Sequence, residues 1–261
     1  MILDKFALNG KTALVTGGAG GIGRSLILGL AEAGADIAIA DLNEEAMVAV
    51  SDQVRALGRR CLALRADVTQ VADSDRMVQE TIAAFDHLDI LVNCAGTNIR
   101  KPTVEITEED YNKVIGVNLK GTYFPCRSAG AVMTRQRRGK IINIASLNSF
   151  VAFAIISLYA ASKGAVGQLT KSLAVEWAPY NIQVNAIAPG FIKTDFNRHL
   201  WQDPERLRWV VERTPAGRFG EPPEVVGAAV FLASEASDFV TGHILVVDGG
   251  FLAGSPWQTT W

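Results

Sequence analysis

A short apolar, partly β-branched run, Lys11 to Thr16, breaks into Gly17-Gly18-Ala19-Gly20-Gly21-Ile22-Gly23. A helical pattern follows from Arg24 to Ala33 and stops at Gly34. The order is strand, glycine turn, helix. Glycines at such a turn permit positive φ and close backbone approach. The free N–H groups at the helix N-terminus then offer positive dipole to a pyrophosphate. A bare glycine-rich loop is common, but the strand before it and the helix after it are the context of a dinucleotide site.

The alternation continues along the chain. Asp36 to Asp41 reads as a second strand, and Glu44 to Leu57 as a helix stopped by Gly58. Arg60 to Ala66 is a third strand with Asp67-Val68 at its upper edge, and Ser74 to Phe85 is a helix. Leu88 to Asn93 is a fourth strand that ends in Asn93-Cys94-Ala95-Gly96. Thr107 opens a long helix that reaches Arg135. Lys140 to Ala145 is a fifth strand delivering Ser146, and Ser157 to Pro179 is a helix. Ile182 to Ala188 is a sixth strand, followed by Pro189-Gly190. Residues 191–223 turn irregular, with Pro204, Pro215, Pro222 and Pro223 around Phe196, Leu200, Trp201, Leu207, Trp209 and Val210. That composition predicts a partly helical lid with an apolar inner face, since loops of this length are usually functional or disordered. Glu224 to Ala233 is a helix and His243 to Val247 a last strand. The expected fold is α/β: a Rossmann-type doubly wound parallel sheet of about seven strands, helices on both faces, in a single domain over 1–261.

Two acids follow strands in this pattern. Asp41 lies about 20 residues past the glycines, where a carboxylate hydrogen-bonds adenosine ribose hydroxyls. An anion there repels a 2′-phosphate, which favours NAD over NADP. Arg24, Arg59 and Arg60 are the nearby cations that would reverse that preference. Asp41 also suits a helix N-cap, with Asn43 competing for that position. Asp67 suits either the adenine amino group or an N-cap.

Tyr159 and Lys163 stand four residues apart in the Ala-rich segment Ser157 to Lys163. On a helix they share a face, about 5–6 Å apart at Cβ. An ammonium beside a phenol favours the phenolate, lowering its pKa from about 10. A phenol so tuned can give or take a proton. Ser146 can hydrogen-bond the same oxygen. Asn118, between Gly116 and Gly121, either opens the helix ladder to hold a water or satisfies a local carbonyl.

The net charge of −2 gives no reason to expect a nucleic-acid or anionic-membrane partner. No apolar run is long enough to cross a bilayer, and the N-terminus lacks a signal-peptide pattern, so the expectation is a cytoplasmic protein. Cys61, Cys94 and Cys126 are scattered with no C-x-x-C pair, so neither a disulfide framework nor a zinc site is indicated.

Thr16-Gly17-x-x-x-Gly21-Ile22-Gly23, Asp67, Asn93-Cys94-Ala95-Gly96, Asn118, Ser146, Tyr159-x-x-x-Lys163 and Pro189-Gly190 together resemble the short-chain dehydrogenase/reductase family in order and spacing. The resemblance covers essentially the whole chain. Cys94 departs from it, standing where the family often has a second Asn. The resemblance implies that Tyr159 is the general acid/base and that Lys163 lowers its pKa and binds the nicotinamide ribose. It implies that Ser146 steadies the substrate oxygen and that Asn118 holds a water of the proton relay. Cofactor contacts are implied for Gly17, Gly21, Ile22, Gly23, Asp41, Asp67, Val68, Asn93, Ala95, Gly96, Tyr159, Lys163, Pro189, Gly190, Ile192 and Thr194. A homotetramer is implied as well, with the Asn118 and Tyr159 helices between subunits.

Asn98 to Pro102, Arg213 to Gly220 and Gly242 to Gly250 resemble the family's gluconate 5-dehydrogenase and 2-deoxygluconate 3-dehydrogenase branch. That implies a sugar-acid substrate. Arg100 either clamps its carboxylate or is a surface charge on a loop. Lys193, His199 and Arg218 are alternative clamps, although His199 reads better as an exposed lid residue. His87 and His243 read as structural. Two other readings stay open: a 3-oxoacyl-thioester reductase using NADP, and a catalytically idle dinucleotide sensor. The C-terminal Trp257 and Trp261 suit either a cover over a neighbouring subunit or a loose end.

Overall fold

In the computed structural model, residues 1–254 are described. The chain alternates β1 (Thr12–Thr16), α1 (Gly21–Glu32), β2 (Asp36–Asp41), α2 (Glu44–Ala56), β3 (Cys61–Arg65), α3 (Val71–Phe85) and β4 (Ile90–Asn93). It continues through α4 (Glu108–Ile115), α5 (Gly121–Gln136), β5 (Gly139–Ile144), α6 (Ser157–Trp177) and β6 (Ile182–Pro189). Two short helices, α7 (Arg198–Trp201) and α8 (Pro204–Arg213), precede α9 (Val226–Ala233) and β7 (Ile244–Val247). The seven strands form one sheet in the order β3-β2-β1-β4-β5-β6-β7. Every pairing is parallel.

Strand periodicity decides which layer each side chain joins, because successive residues face opposite sides. Ala13, Val15, Ile37, Ile39, Ile90 and Val92 share one core with Leu26, Ile27 and Leu30 of α1 and Leu232 of α9. Leu14, Ala38, Ala40 and Leu91 face the other way, onto Met77 and Val78 of α3, Ala129 and Met133 of α5 and Trp177 of α6. Both faces are covered, so the central strands are apolar throughout, as parallel sheets require.

Connectivity reverses beside β1. The chain runs from β1 outward to β3 and then returns to pair β4 on the other side of β1. Thr16 therefore lies between Ala40 on one side and Asn93 on the other. The carboxyl ends of β1 and β4 part there and leave a crevice, the place where open α/β sheets bind ligands.

The helix expected from Thr107 to Arg135 is instead two helices. Thr107 caps α4 in a reciprocal capping box with Asp110. The ladder then widens into a π turn over Gly116–Lys120 before α5. The Thr122 hydroxyl donates to the Asn118 carbonyl at 2.7 Å, occupying an acceptor that the helix ladder would otherwise serve. Other elements differ only at their ends. α9 starts at Val226 because a 3-10 turn, Pro222–Val225, precedes it. The lid contains a 3-10 turn, Asp195–Asn197, as well as α7 and α8. Trp257 and Trp261 lie outside the described residues. Among those described, no helix is long and apolar enough to cross a membrane.

Candidate active site

A cavity of about 980 Å³ opens at the carboxyl ends of the strands. Its floor is the glycine turn. Gly17 has φ +67°, and a Cβ there would lie 2.7 Å from the Ala95 Cα. A Cβ on Gly23 would lie 2.1 Å from the Gly17 carbonyl oxygen. Only glycine lets β1, α1 and the loop after β4 close on one another this tightly. The N-terminus of α1 then points its unpaired N–H groups into the crevice, and the cradle fits a pyrophosphate.

Gly17, Gly21, Ile22, Gly23, Asp41, Asp67 and Val68 all line this cavity. So do Ala95, Gly96, Pro189, Gly190, Ile192 and Thr194. Asn93 does not. It is buried beneath, with its amide donating to the Asn143 side chain at 2.9 Å and to Cys126 Sγ at 3.1 Å. Its register on β4 points it into the sheet's covered face, so it braces β4 against β5.

Asp41 ends β2 half-buried. One carboxylate oxygen accepts from the Ala19 N–H at 2.9 Å and the other from the Asn43 N–H at 3.0 Å. The N-cap of α2 is Asn43, which accepts from the Ala46 N–H at 3.0 Å. Asp41 is therefore a carboxylate held at the wall by the glycine turn. Asp67 lines the cavity and accepts from the Thr69 N–H and hydroxyl at 2.9 and 2.8 Å, while the N-cap of α3 is Gln70. Arg59 and Arg60 are far from either acid. Arg59 donates to the Gly34 carbonyl and Arg60 pairs with Asp36, both at the amino end of β2. Arg24 points to Gln53 at 3.3 Å.

Ser146, Tyr159 and Lys163 line the same cavity beyond the glycine turn. Ser146 follows β5 and accepts from the Asn148 N–H at 3.2 Å. One helical turn separates Tyr159 from Lys163 on α6, and Lys163 Nζ lies 5.8 Å from the Tyr159 ring centre. Lys163 is 4% exposed and donates to the Ile144 carbonyl at 2.6 Å. Burial lowers the Lys163 ammonium to about 8. Burial also raises the Tyr159 phenol, against smaller downward pulls from the Ser146 hydrogen bond and the Arg100 charge. Lys163 is expected from the sequence to draw the phenol toward neutrality; the groups that lower it here are Ser146 and Arg100, and desolvation, which disfavours both charged forms, sets the direction.

Asn118 is fully buried and stands behind the wall of the cavity. Its side chain clasps the Thr97 peptide, accepting from N–H at 2.8 Å and donating to C=O at 2.9 Å. It also donates to the Ser162 hydroxyl at 2.9 Å. The π turn therefore ties the loop after β4 to the residue preceding Lys163. Cys94 lines the cavity, but burial pushes its thiol up to about 12, so it stays protonated.

At the far end the cavity is lined by Arg100, Asn148, Phe153, Phe196, His199, Leu200, Arg206 and Trp209. Arg100 lies 5.8 Å from the Phe196 ring and makes no ion pair among the described residues. Asn98 lines this region too, and its side-chain oxygen is buried without a hydrogen-bond partner. Lys193 stacks instead on Trp201 at 5.1 Å, and Arg218 pairs with Glu224 at 2.6 Å. Neither lines the cavity. His199, expected to be an exposed lid residue, faces in. The sequence places Trp209 in the lid's apolar inner face and Asn98 in the branch motif without a role at the site, and it does not single out Arg206. Their only signal was position within the lid and the loop after β4.

A family profile described as Enoyl-(Acyl carrier protein) reductase matches residues 17–252. The 2-dehydro-3-deoxy-D-gluconate 5-dehydrogenase of Dickeya dadantii is 43% identical over 97% of this chain and 100% of its own. The 5-keto-D-gluconate 5-reductase of Escherichia coli is 43% identical over 95% of this chain and 98% of its own. A gluconate 5-dehydrogenase from Burkholderia cenocepacia, solved in complex with NADP and tartrate, superposes with a TM-score of 0.94 at 43% identity. That match spans 97% of this chain and 100% of the other. With a glycine cradle, a tyrosine–lysine turn and these full-length likenesses together, the chain belongs to the short-chain dehydrogenase/reductase family.

Proposed function

We propose that the chain is an NAD(H)-dependent oxidoreductase that interconverts a secondary alcohol and a ketone on a sugar acid of the gluconate, 2-deoxygluconate or keto-deoxy uronate type. The observation that carries this reading is a single cavity. It runs from a glycine cradle, past Ser146, Tyr159 and Lys163, to Arg100, which has no acidic partner among the described residues. The names of the relatives agree with it.

The glycine turn and the α1 N-terminus hold the pyrophosphate of a nicotinamide dinucleotide, and Asp41 accepts from its ribose hydroxyls. Bound there, the dinucleotide supplies the hydride donor or acceptor. Ser146 donates to the substrate carbonyl oxygen and fixes its position. Tyr159 gives that oxygen its proton during reduction and removes it during oxidation. Lys163 holds the nicotinamide ribose and, through the Asn118 carbonyl, which keeps a second lone pair for a water, reaches a proton path. Arg100 takes the sugar-acid carboxylate in a bidentate pair.

The test is oxidation of NADH, and in parallel of NADPH, against a panel of keto sugar acids and one acetoacetyl thioester. Turnover of a keto sugar acid with NADH is expected. Turnover of the thioester alone, with NADPH, would overturn both substrate and cofactor readings.

We also propose a homotetramer with α5 and α6 at subunit contacts. Tyr123 on α5 and Val175 on α6 are 47% and 80% exposed, which leaves apolar surface on both helices. Sedimentation at the mass of four chains is expected, and a monomer at micromolar concentration would remove this assignment.

A further inference from the structure

Arg206 belongs to neither the cofactor cradle nor the catalytic turn, yet it lines the cavity. It sits on α8, in the lid. Asp203 caps that helix, accepting from the Glu205 and Arg206 N–H groups at 2.9 and 3.3 Å. One turn further on, at the spacing that shares a helix face, stands Trp209, which also lines the cavity. Trp209 meets Phe153, Phe191 and Phe251 at ring separations of 5.9, 6.0 and 6.4 Å. This aromatic cluster fixes the rotation of α8 and so turns Arg206 inward.

The arginine is available. Among the described residues its one ion pair is with Asp203 at 3.3 Å, and both side chains are about half exposed, at 55% and 42%. Pairs of that kind contribute little and exchange readily. Arg100 approaches the same end of the cavity from the loop after β4. Burial disfavours the charge on Arg100, and the Arg206 charge adds to that in the same direction. His199, in the same lining, is held neutral by burial and by both arginines. It is therefore a hydrogen-bonding group for hydroxyls and not a third cation. The acid at this end, Asp195, is already paired with Arg198. Two like charges thus line one cavity, with the half-exposed Asp203 as the acid paired to one of them.

We propose that Arg206 is a specificity-determining residue that closes on the substrate carboxylate from the lid, opposite Arg100. The inference rests on the sugar-acid reading. It makes recognition of the acid a two-sided clamp, one side on the sheet's loop and the other on the lid.

The experiment compares kcat/KM for a keto sugar acid and for its uncharged carboxamide, in wild type, Arg206→Gln, Arg206→Lys and Arg100→Gln. The ratio of acid to amide is the readout, because a general loosening of the lid lowers both numbers together. In Arg206→Gln that ratio should fall about 10- to 100-fold, the range for loss of a charged hydrogen bond. Arg206→Lys should recover part of it, since charge returns without the planar fork. If wild type shows no preference for the acid, the sugar-acid reading itself fails. If wild type prefers the acid and Arg206→Gln keeps the full ratio while Arg100→Gln loses it, the clamp is one-sided and this inference is wrong. An equal loss on acid and amide in Arg206→Gln would also overturn it, leaving the residue a role in lid structure only.

Discussion

A Tyr159→Phe protein should lose about 10²- to 10⁴-fold in kcat, the range that a positioned acid or base supplies. Its folding and dinucleotide affinity should stay close to wild type. The change deletes one oxygen from a side chain whose ring remains, 6.2 Å from Phe196. Of the other titratable groups lining the cavity, His199 sits in the lid, where burial and then the Arg100 and Arg206 charges disfavour its protonated form. The Cys94 thiol is pushed up to about 12, and the Lys163 ammonium already donates to the Ile144 carbonyl. The direction of the Tyr159 shift also sets a pH dependence. Its phenol is raised by burial, so the protonated form persists through neutral pH. Ketone reduction uses that form and should hold its rate until alkaline pH. Alcohol oxidation uses the phenolate and should rise as pH rises toward the same value. Retention of more than about a tenth of wild-type kcat, below the smallest loss expected of such a group, would show that the proton comes from elsewhere. The pH profiles would then have to be reassigned.

The glycine turn and the tyrosine–lysine turn were legible because both are local. Each depends on residues a few positions apart, and the regular helix or strand converts that spacing directly into geometry. The sheet order was legible at the level of class, since alternating strands and helices leave few topologies open. Asn93 shows where this stops. It lies at the end of a strand, as an active-site residue would, but which way it points depends on register with Asn143 across β5. The π turn was half legible. Glycines flanking Asn118 announced a broken ladder, but the clasp on Thr97 and Ser162 involves positions remote in sequence. Arg206 was not legible at all. It is one of many charged residues in an irregular segment, and only the packing of Trp209 among distant aromatics aims it at the cavity. Competition for the α2 cap was settled by a single hydrogen bond, from the Ala46 N–H to Asn43. That assignment leaves Asp41 on the cavity wall, held by the Ala19 and Asn43 N–H groups.

Replacing Asp41 with Asn should shift the ratio of catalytic efficiencies with NADPH and NADH by about two orders of magnitude toward NADPH. The estimate follows from Coulomb's law: two unit charges about 4 Å apart interact by about 4 kcal/mol at an effective dielectric of 20, and salt and side-chain movement reduce that. The Asn side chain keeps one oxygen for either the Ala19 or the Asn43 N–H, so the turn retains an acceptor. It loses only the charge that a 2′-phosphate would meet. No compensating cation lines this part of the cavity, where the neighbours of Asp41 are Ala40, Leu42, Ala66, Asp67 and Val68. Arg60 is committed to Asp36 at 2.6 Å, at the other end of β2. The Burkholderia cenocepacia relative was solved with NADP, so the Asp41 position is where the two chains are expected to differ in cofactor use. Steady-state kinetics with both dinucleotides, on wild type and Asp41→Asn, decide it. A wild type that prefers NADH, and loses the preference in the variant, assigns the discrimination to this carboxylate. Equal use of both by wild type, unchanged in the variant, would mean that the phosphate leaves the crevice without meeting Asp41.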